Sequence, residues 1–305
     1  LSGLVGSEMC IRDRSYTPVA QNGGTDDYHC TIINPHITEA SYILSSELLP
    51  DQNRTEGQSN EVHHAIYFLV SGSSNINRAN ALNAGSGGHG WTCFGSPLNP
   101  SGSFDGTDWL GGWAPGRGAN PVPDGTGIPV PANSLIVMQM HYNLLAGDHP
   151  DFSSLRMTTT PQAGASRLQP MTLDVNHVAA PELPCVKGTS VALHPLCDRT
   201  ASLNELKSRF GQSAVDFVNN INNICHLTDP TWLSKVKPPK DAQMVKSTCA
   251  TPLFASAGSM IRQVTPHLHL IGQSVKIQIL SSNGKVKTLV TVSYTHLTLP
   301  TILLV

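Results

Sequence analysis

Charge is scarce in this chain: only 13% of its residues are Asp, Glu, Lys or Arg, and the formal net charge is −2. It carries no basic stripe, which argues against a nucleic-acid partner. No apolar run approaches the roughly 18 residues of a membrane-spanning helix, so no membrane span is expected. The cysteines lack CxxC spacing. What is abundant is Gly, at 26, and Pro, at 22, with short β-type runs between them. That texture favours sandwiches or barrels over helical architectures.

The ends lack the layout of a targeting segment. "LVGSEMCIRDR" and "VSYTHLTLPT" look instead like translated sequencing adapter. The codons ATG TGT ATA AGA GAC AG give Met9 to Asp13 and begin an Arg14 codon, and their reverse complement gives Val292 to His296. One DNA element thus explains both ends. Residues 1–14 and 292–305 are therefore expected to be adapter-derived and are set aside from fold reasoning, with the natural chain expected to be cut at both ends. About 277 residues remain, a length that suits two domains or one large all-β unit.

With Cys10 set aside, Cys30, Cys93, Cys185, Cys197, Cys225 and Cys249 remain. In a loop-rich chain they lean toward disulfides and an oxidising compartment, hence export. Reduced core cysteines are the alternative. Six cysteines allow 15 pairings, of which a local loop staple between Cys185 and Cys197 is favoured.

Along the first half, apolar runs alternate with turn clusters: "YHCTIINP", "ASYILSSELLP", "VHHAIYFLV", "SLIVMQMHYN" and "SSLRMTTT". Each reads as a strand. Asn83 to Asn133 is a long Gly- and Pro-rich stretch, and its Trp residues and Cys93 predict a packed loop rather than a disordered linker. The boundary between halves falls near Gln162 to Ser166, giving units 15–163 and 164–291. In the second, "DRTASLNELKSRFG" and "SAVDFVNNINNICH" predict two short helices over about 199–225. Leu203, Leu206 and Phe210 share a face of the first; Val215, Val218, Ile221 and Ile224 line the second. Asp198 or Thr200 could cap the first and Ser213 the second. Strand patterning resumes at "SMIRQVTPHLHLIGQSVKIQIL" and "KVKTLVTV", joined by "SSNGK".

Thirteen histidines are present, but only "VHHA", "MQMHYN" and "PHLHLIG" combine them with strong strand signals. His267 and His269 are two apart, so on a strand both rings leave the same face and can grip one ion. Imidazole suits copper, zinc, iron and nickel alike. Val137, Gln139, His141 and Asn143 share a face opposite Met138, Met140 and Tyr142, which makes His141 either a third ligand or a satisfied, partly buried side chain. His29, His36, His89, His149, His177, His194 and His226 read as surface or loop residues. His63 and His64 pose a puzzle, because strict alternation sends adjacent strand residues to opposite faces. Cupins also use HxH, but usually with a Glu soon after, and "HLHLIGQSVK" offers no carboxylate. Multicopper oxidases repeat HxH and add a Cys flanked by His, neither of which is present.

Taken in order, the early Tyr-x-Cys, "VHHAIYFL", "GWTCFG", "GGWAPG", "VMQMHYN" and "HLHLIG" resemble the copper type II, ascorbate-dependent monooxygenases, the family of peptidylglycine α-hydroxylating and dopamine β-monooxygenases. The resemblance spans most of the chain. The helical excursion departs from the animal enzymes and is more similar to a bacterial branch.

The resemblance implies an all-β protein of two jelly-roll-like β-sandwich domains, with a short helical insertion in the second and one copper in each. His63, His64 and His141 would bind the electron-transfer copper. His267 and His269 would bind the oxygen-activating, catalytic copper together with a Met from a later strand. That strand lies beyond the adapter junction, and Met260, on the N-terminal side of the pair, does not occupy its place. In the implied reaction ascorbate reduces both coppers, oxygen is activated at the second, a substrate C–H bond is cleaved there, and the first delivers the remaining electron. Alcohol and water result. Peptide-hydroxylating members place an Arg two residues before HxH to hold the substrate carboxylate. Thr265 stands there in this chain, which argues against a peptidylglycine substrate, and the small organic substrate expected for the reaction is not specified further. Gln139 matches a family Gln that organises water between the coppers, against the plainer reading of a strand Gln on a wet face. The alternative for the whole chain is a noncatalytic copper-binding or adhesive β-sandwich. For the puzzle at His63 and His64, the resemblance demands that both lie near His141, with a twist or bulge in the strand and the rings using different nitrogens.

Overall fold

The structure is a computed structural model of the 305-residue chain and describes residues 7–12, 15–51, 61–98, 107–173, 184–224, 231–240, 258–264 and 273–293. By internal contacts the chain divides into two units, Leu1–Leu253 and Phe254–Val305.

In chain order the first unit contains strands β1 (Ser7–Arg12), β2 (Asp26–Ile33), β3 (Ser41–Leu49) and β4 (Val62–Val70), then helix α1 (Ser73–Gly85). Strands β5 (Trp91–Thr92), β6 (Thr107–Trp113), β7 (Asn120–Pro121), β8 (Thr126–Val130), β9 (Leu135–Asn143), β10 (Ser154–Pro161) and β11 (Gln169–Pro170) follow. Helices α2 (Arg199–Phe210) and α3 (Gln212–Ile224) come next. One sheet runs β1-β10-β3-β8-β11, with β7 also on β3; the other runs β5-β2-β9-β4-β6.

The two sheets form a sandwich because their strands alternate. From β9, Ile136, Met138, Met140 and Tyr142 join Ala65, Tyr67 and Leu69 of β4 in one core with Ile43 and Leu48 of β3 and Leu155 and Met157 of β10. The intervening residues face the other way. Val137, Leu135, Val70 and Cys30 there form a second apolar layer with Trp91, Cys93 and Leu98. Helix α1 covers part of that layer through Ala79, with Ile76 and Leu82 beside it. It was not expected from sequence, since its large apolar residues are just Ile76 and Leu82 in a stretch rich in Ser and Asn, which gives little amphipathic signal. The fold is all-β with a small helical segment, and the two expected helices form. Asp198 caps α2, its Oδ1 accepting from the Ala201 N–H at 2.8 Å.

Among the described residues, disulfides join Cys30 to Cys93 and Cys185 to Cys197, the second being the expected local staple. The first ties β2 to the long Gly-rich stretch, whose described residues are packed as expected: Trp91 and Trp113 are each 8% exposed. Cys225 and Cys249 lie outside the described residues. Ser7–Arg12 adds to the sheet edge at β10. Edge pairing is carried by main-chain hydrogen bonds that any extended segment can supply, so it says nothing of where those residues come from.

In the second unit the described residues form a hairpin of β12 (Ser274–Leu280) and β13 (Val286–Ser293). Its turn is the expected "SSNGK", closed by the Gly284 N–H to the Ser281 carbonyl at 2.9 Å. Met260 is 69% exposed. His267, His269 and Thr265 lie outside the described residues.

Candidate metal centre

The puzzle of "VHH" resolves in the pairing of β4 with β9. Val62 lies opposite Tyr142 and His64 opposite His141, two consecutive partners, so His63 is an extra residue in the ladder. Such a bulge lets two neighbouring residues leave the same face. Val62 therefore turns into the sandwich core while His64 stands on the outer face, and His63 swings round beside it.

The result is a cluster of His63, His64 and His141. Their Nδ1 atoms are 3.0 Å apart for His63 and His141, and 3.3 Å apart for His63 and His64 and for His64 and His141. All three rings present Nδ1, so the expectation that they would use different nitrogens is corrected. The bulge brings His63 and His64 to one face without a change of ring nitrogen. A point about 2.0 Å from all three atoms lies within about 1 Å of their plane, and roughly 2.0–2.1 Å is the usual length of a zinc–imidazole bond.

His141 has two further partners that sequence reading missed. Its Nε2 lies 2.8 Å from Asp26 Oδ1, and its ring stacks on Tyr28 at 4.0 Å with 9° between planes. The hydrogen bond to His141 holds the Asp26 carboxyl below its ordinary range, against an opposing push from burial. A carboxylate only accepts, so Nε2 carries the hydrogen and Nδ1 keeps its lone pair toward His63 and His64. Lone pairs converging at this distance repel unless protons or a cation lie between them, and the donor set therefore fits a metal ion. The signal that could have found Asp26 is its register: two residues before Tyr28, it shares the strand face that lies across from His141.

Adjacent Asp27 faces the other way and is fully buried, accepting from the Tyr16 hydroxyl at 2.6 Å and the Val19 N–H at 2.9 Å. Tyr16 also stacks on His29 at 3.7 Å. His29 is thus only 6% exposed, a correction to its reading as a surface residue. Its Nε2 lies 2.8 Å from the His89 carbonyl. His149, on a loop as expected, bonds the buried Glu61 carboxylate at 2.7 Å.

Gln139 is 2% exposed, so it stands on no wet face. Its amide donates to the Gly95 carbonyl at 3.0 Å and lies 3.6 Å from Cys93 Sγ. Phe94, between those two residues, meets Tyr28 edge-on at 4.8 Å and Phe210 of α2 at 5.3 Å. Phe210 also touches Tyr28, at 5.2 Å. Gly95 has φ +75° and no space for a side chain, since a Cβ would sit 2.5 Å from the Phe217 ring of α3. The helical segment is therefore packed on the loop and tyrosine that back the histidine cluster. Burial pushes the Tyr28 phenol well above its ordinary value, so it stacks as a neutral ring.

Fold and site together define an all-β sandwich protein with a candidate three-imidazole metal centre on one sheet face. No protein-family model matches the chain, and no curated protein matches it significantly.

Proposed function

We propose that this protein is an exported copper- and ascorbate-dependent monooxygenase that hydroxylates a C–H bond of a small organic substrate with O2. The observation that supports this reading best is the convergence of His63, His64 and His141 through a strand bulge, in the order and spacing of the motifs that resemble the copper type II family. Copper held by three imidazoles with open coordination positions supplies one-electron redox chemistry.

In this proposal His63, His64 and His141 hold the electron-transfer ion. Asp26 and Tyr28 orient His141, and Gln139, on the same face of its strand, organises water beside the copper. His267 and His269 hold the second, catalytic ion, completed by a Met. Reaction consumes the substrate C–H bond, O2, two electrons from ascorbate and two protons, and yields an alcohol and water. The two disulfides agree with export, because such bonds persist in oxidising compartments. No helix among the described residues is long and apolar enough to cross a membrane.

Copper-dependent, ascorbate-fuelled oxygen consumption by the full-length protein tests the reading. Turnover that disappears on chelation and returns with copper is the expected result. Two coppers bound without turnover on any reductant would instead favour a noncatalytic copper-binding or adhesive sandwich.

A further inference from the structure

The three imidazoles are not equivalent. His141 is 7% exposed, whereas His63 and His64 are only partly buried. Its ring is held on its face by Tyr28 and at its far nitrogen by Asp26. Asp26 is itself fixed. Its Oδ2 accepts from the Thr25 hydroxyl at 3.0 Å, and its main chain lies opposite Asn143 in the β2–β9 ladder. The next residue, Asp27, is anchored on the opposite face by Tyr16 and Val19, so β2 cannot rotate to withdraw the acid.

We propose that Asp26 is a positioning residue that holds His141 with Nδ1 toward the metal and biases the centre toward the more highly charged copper ion. The proposal rests on the metal-centre reading above. A carboxylate that accepts the N–H of a metal-bound imidazole fixes its tautomer and makes the ring a stronger donor. A stronger donor with an anion behind it favours Cu(II) over Cu(I) by charge alone. Asp26 thereby sets which oxidation state the site holds more tightly, in addition to where the ring points.

Two substitutions separate charge from geometry. Asp26→Asn keeps an oxygen able to accept from Nε2 but removes the charge; Asp26→Ala removes both. Each is compared with the parent in a background carrying His267→Ala and His269→Ala, so that one site titrates. Cu(II), and Cu(I) under anaerobic competition with a chelator, are the probes, read with the nitrogen hyperfine pattern of the Cu(II) spectrum. Asp26→Ala is expected to weaken Cu(II) roughly 10- to 100-fold, the usual cost of losing such a partner. Asp26→Asn should fall between parent and Ala, with Cu(I) affinity changed far less in both. Unchanged Cu(II) affinity in both variants overturns the proposal and leaves the metal centre standing. Equal loss of Cu(II) and Cu(I), accompanied by a lowered melting temperature, also overturns it, because that pattern marks a structural role only. A parent that binds no copper overturns the metal centre itself.

Discussion

At the scale of single residues the account turns on which nitrogen each histidine presents. Replacing His141 with Ala removes the buried imidazole of the cluster and its hydrogen bond to Asp26. Copper affinity in that variant should drop by more than the roughly 100-fold upper end for losing an outer-sphere group, measured by competition with a chromophoric chelator. Acid should act in the same direction. Three imidazoles must be deprotonated to bind, so acid should weaken copper binding. Asp26 contributes to the metal-free protein's stability with a definite sign. Its folded pKa is lowered by the His141 bond, so the contribution is present above the ordinary value of 3.8 and is lost as pH falls through the folded one. Asp26→Asn should flatten that part of the acid-unfolding profile, followed by circular dichroism.

At the scale of elements the bulge in β4 is the device that makes the site. Since Val62 and His64 already pair with consecutive residues of β9, deleting His63 should restore a regular ladder without turning any other side chain to the wrong face. The deletion variant is expected to fold, with stability within about 1–2 kcal/mol of the parent by urea titration, the ordinary range for a single change, yet to lose copper. Gly95→Ala should do the reverse. It disfavours the left-handed backbone and drives a methyl into Phe217, costing at least about 1 kcal/mol. It should also loosen α2 and α3 toward proteolysis.

Sequence reading reached these elements unevenly. Alternation placed Val137, Gln139 and His141 on one face and the methionines on the other because both faces of β9 are covered. Demanding that His63 and His64 meet His141 required a twist or a bulge, and a bulge is present. The shared use of Nδ1 was not legible, because ring orientation depends on Asp26 and Tyr28 of another strand, and pairing register is a long-range property. Helix α1 was missed for want of periodicity. His29 was misjudged because its cover, Tyr16, lies thirteen residues away in a segment without strand signals.

At the scale of the molecule, the Cys30–Cys93 bond closes 63 residues of chain and anchors the loop that carries Phe94 and Gly95. Losing a disulfide over such a loop costs roughly 2–5 kcal/mol. The double variant Cys30→Ala, Cys93→Ala should therefore melt markedly lower and bind copper more weakly, while Cys185→Ala, Cys197→Ala should leave copper binding unchanged. The proposed copper site would couple metal to fold in the same way. Copper at 100 times its Kd should stabilise the native state by about 2.7 kcal/mol, seen as a rise in melting temperature that the His63 deletion lacks.

The most direct test of the central claim is X-ray absorption on protein loaded with one equivalent of Cu(II), in the background with His267 and His269 replaced by Ala. The account predicts a copper shell containing three imidazole nitrogens, reduced in number when His63, His64 or His141 is replaced. A copper bound only by oxygen donors, or a nitrogen shell unchanged by all three replacements, would contradict it.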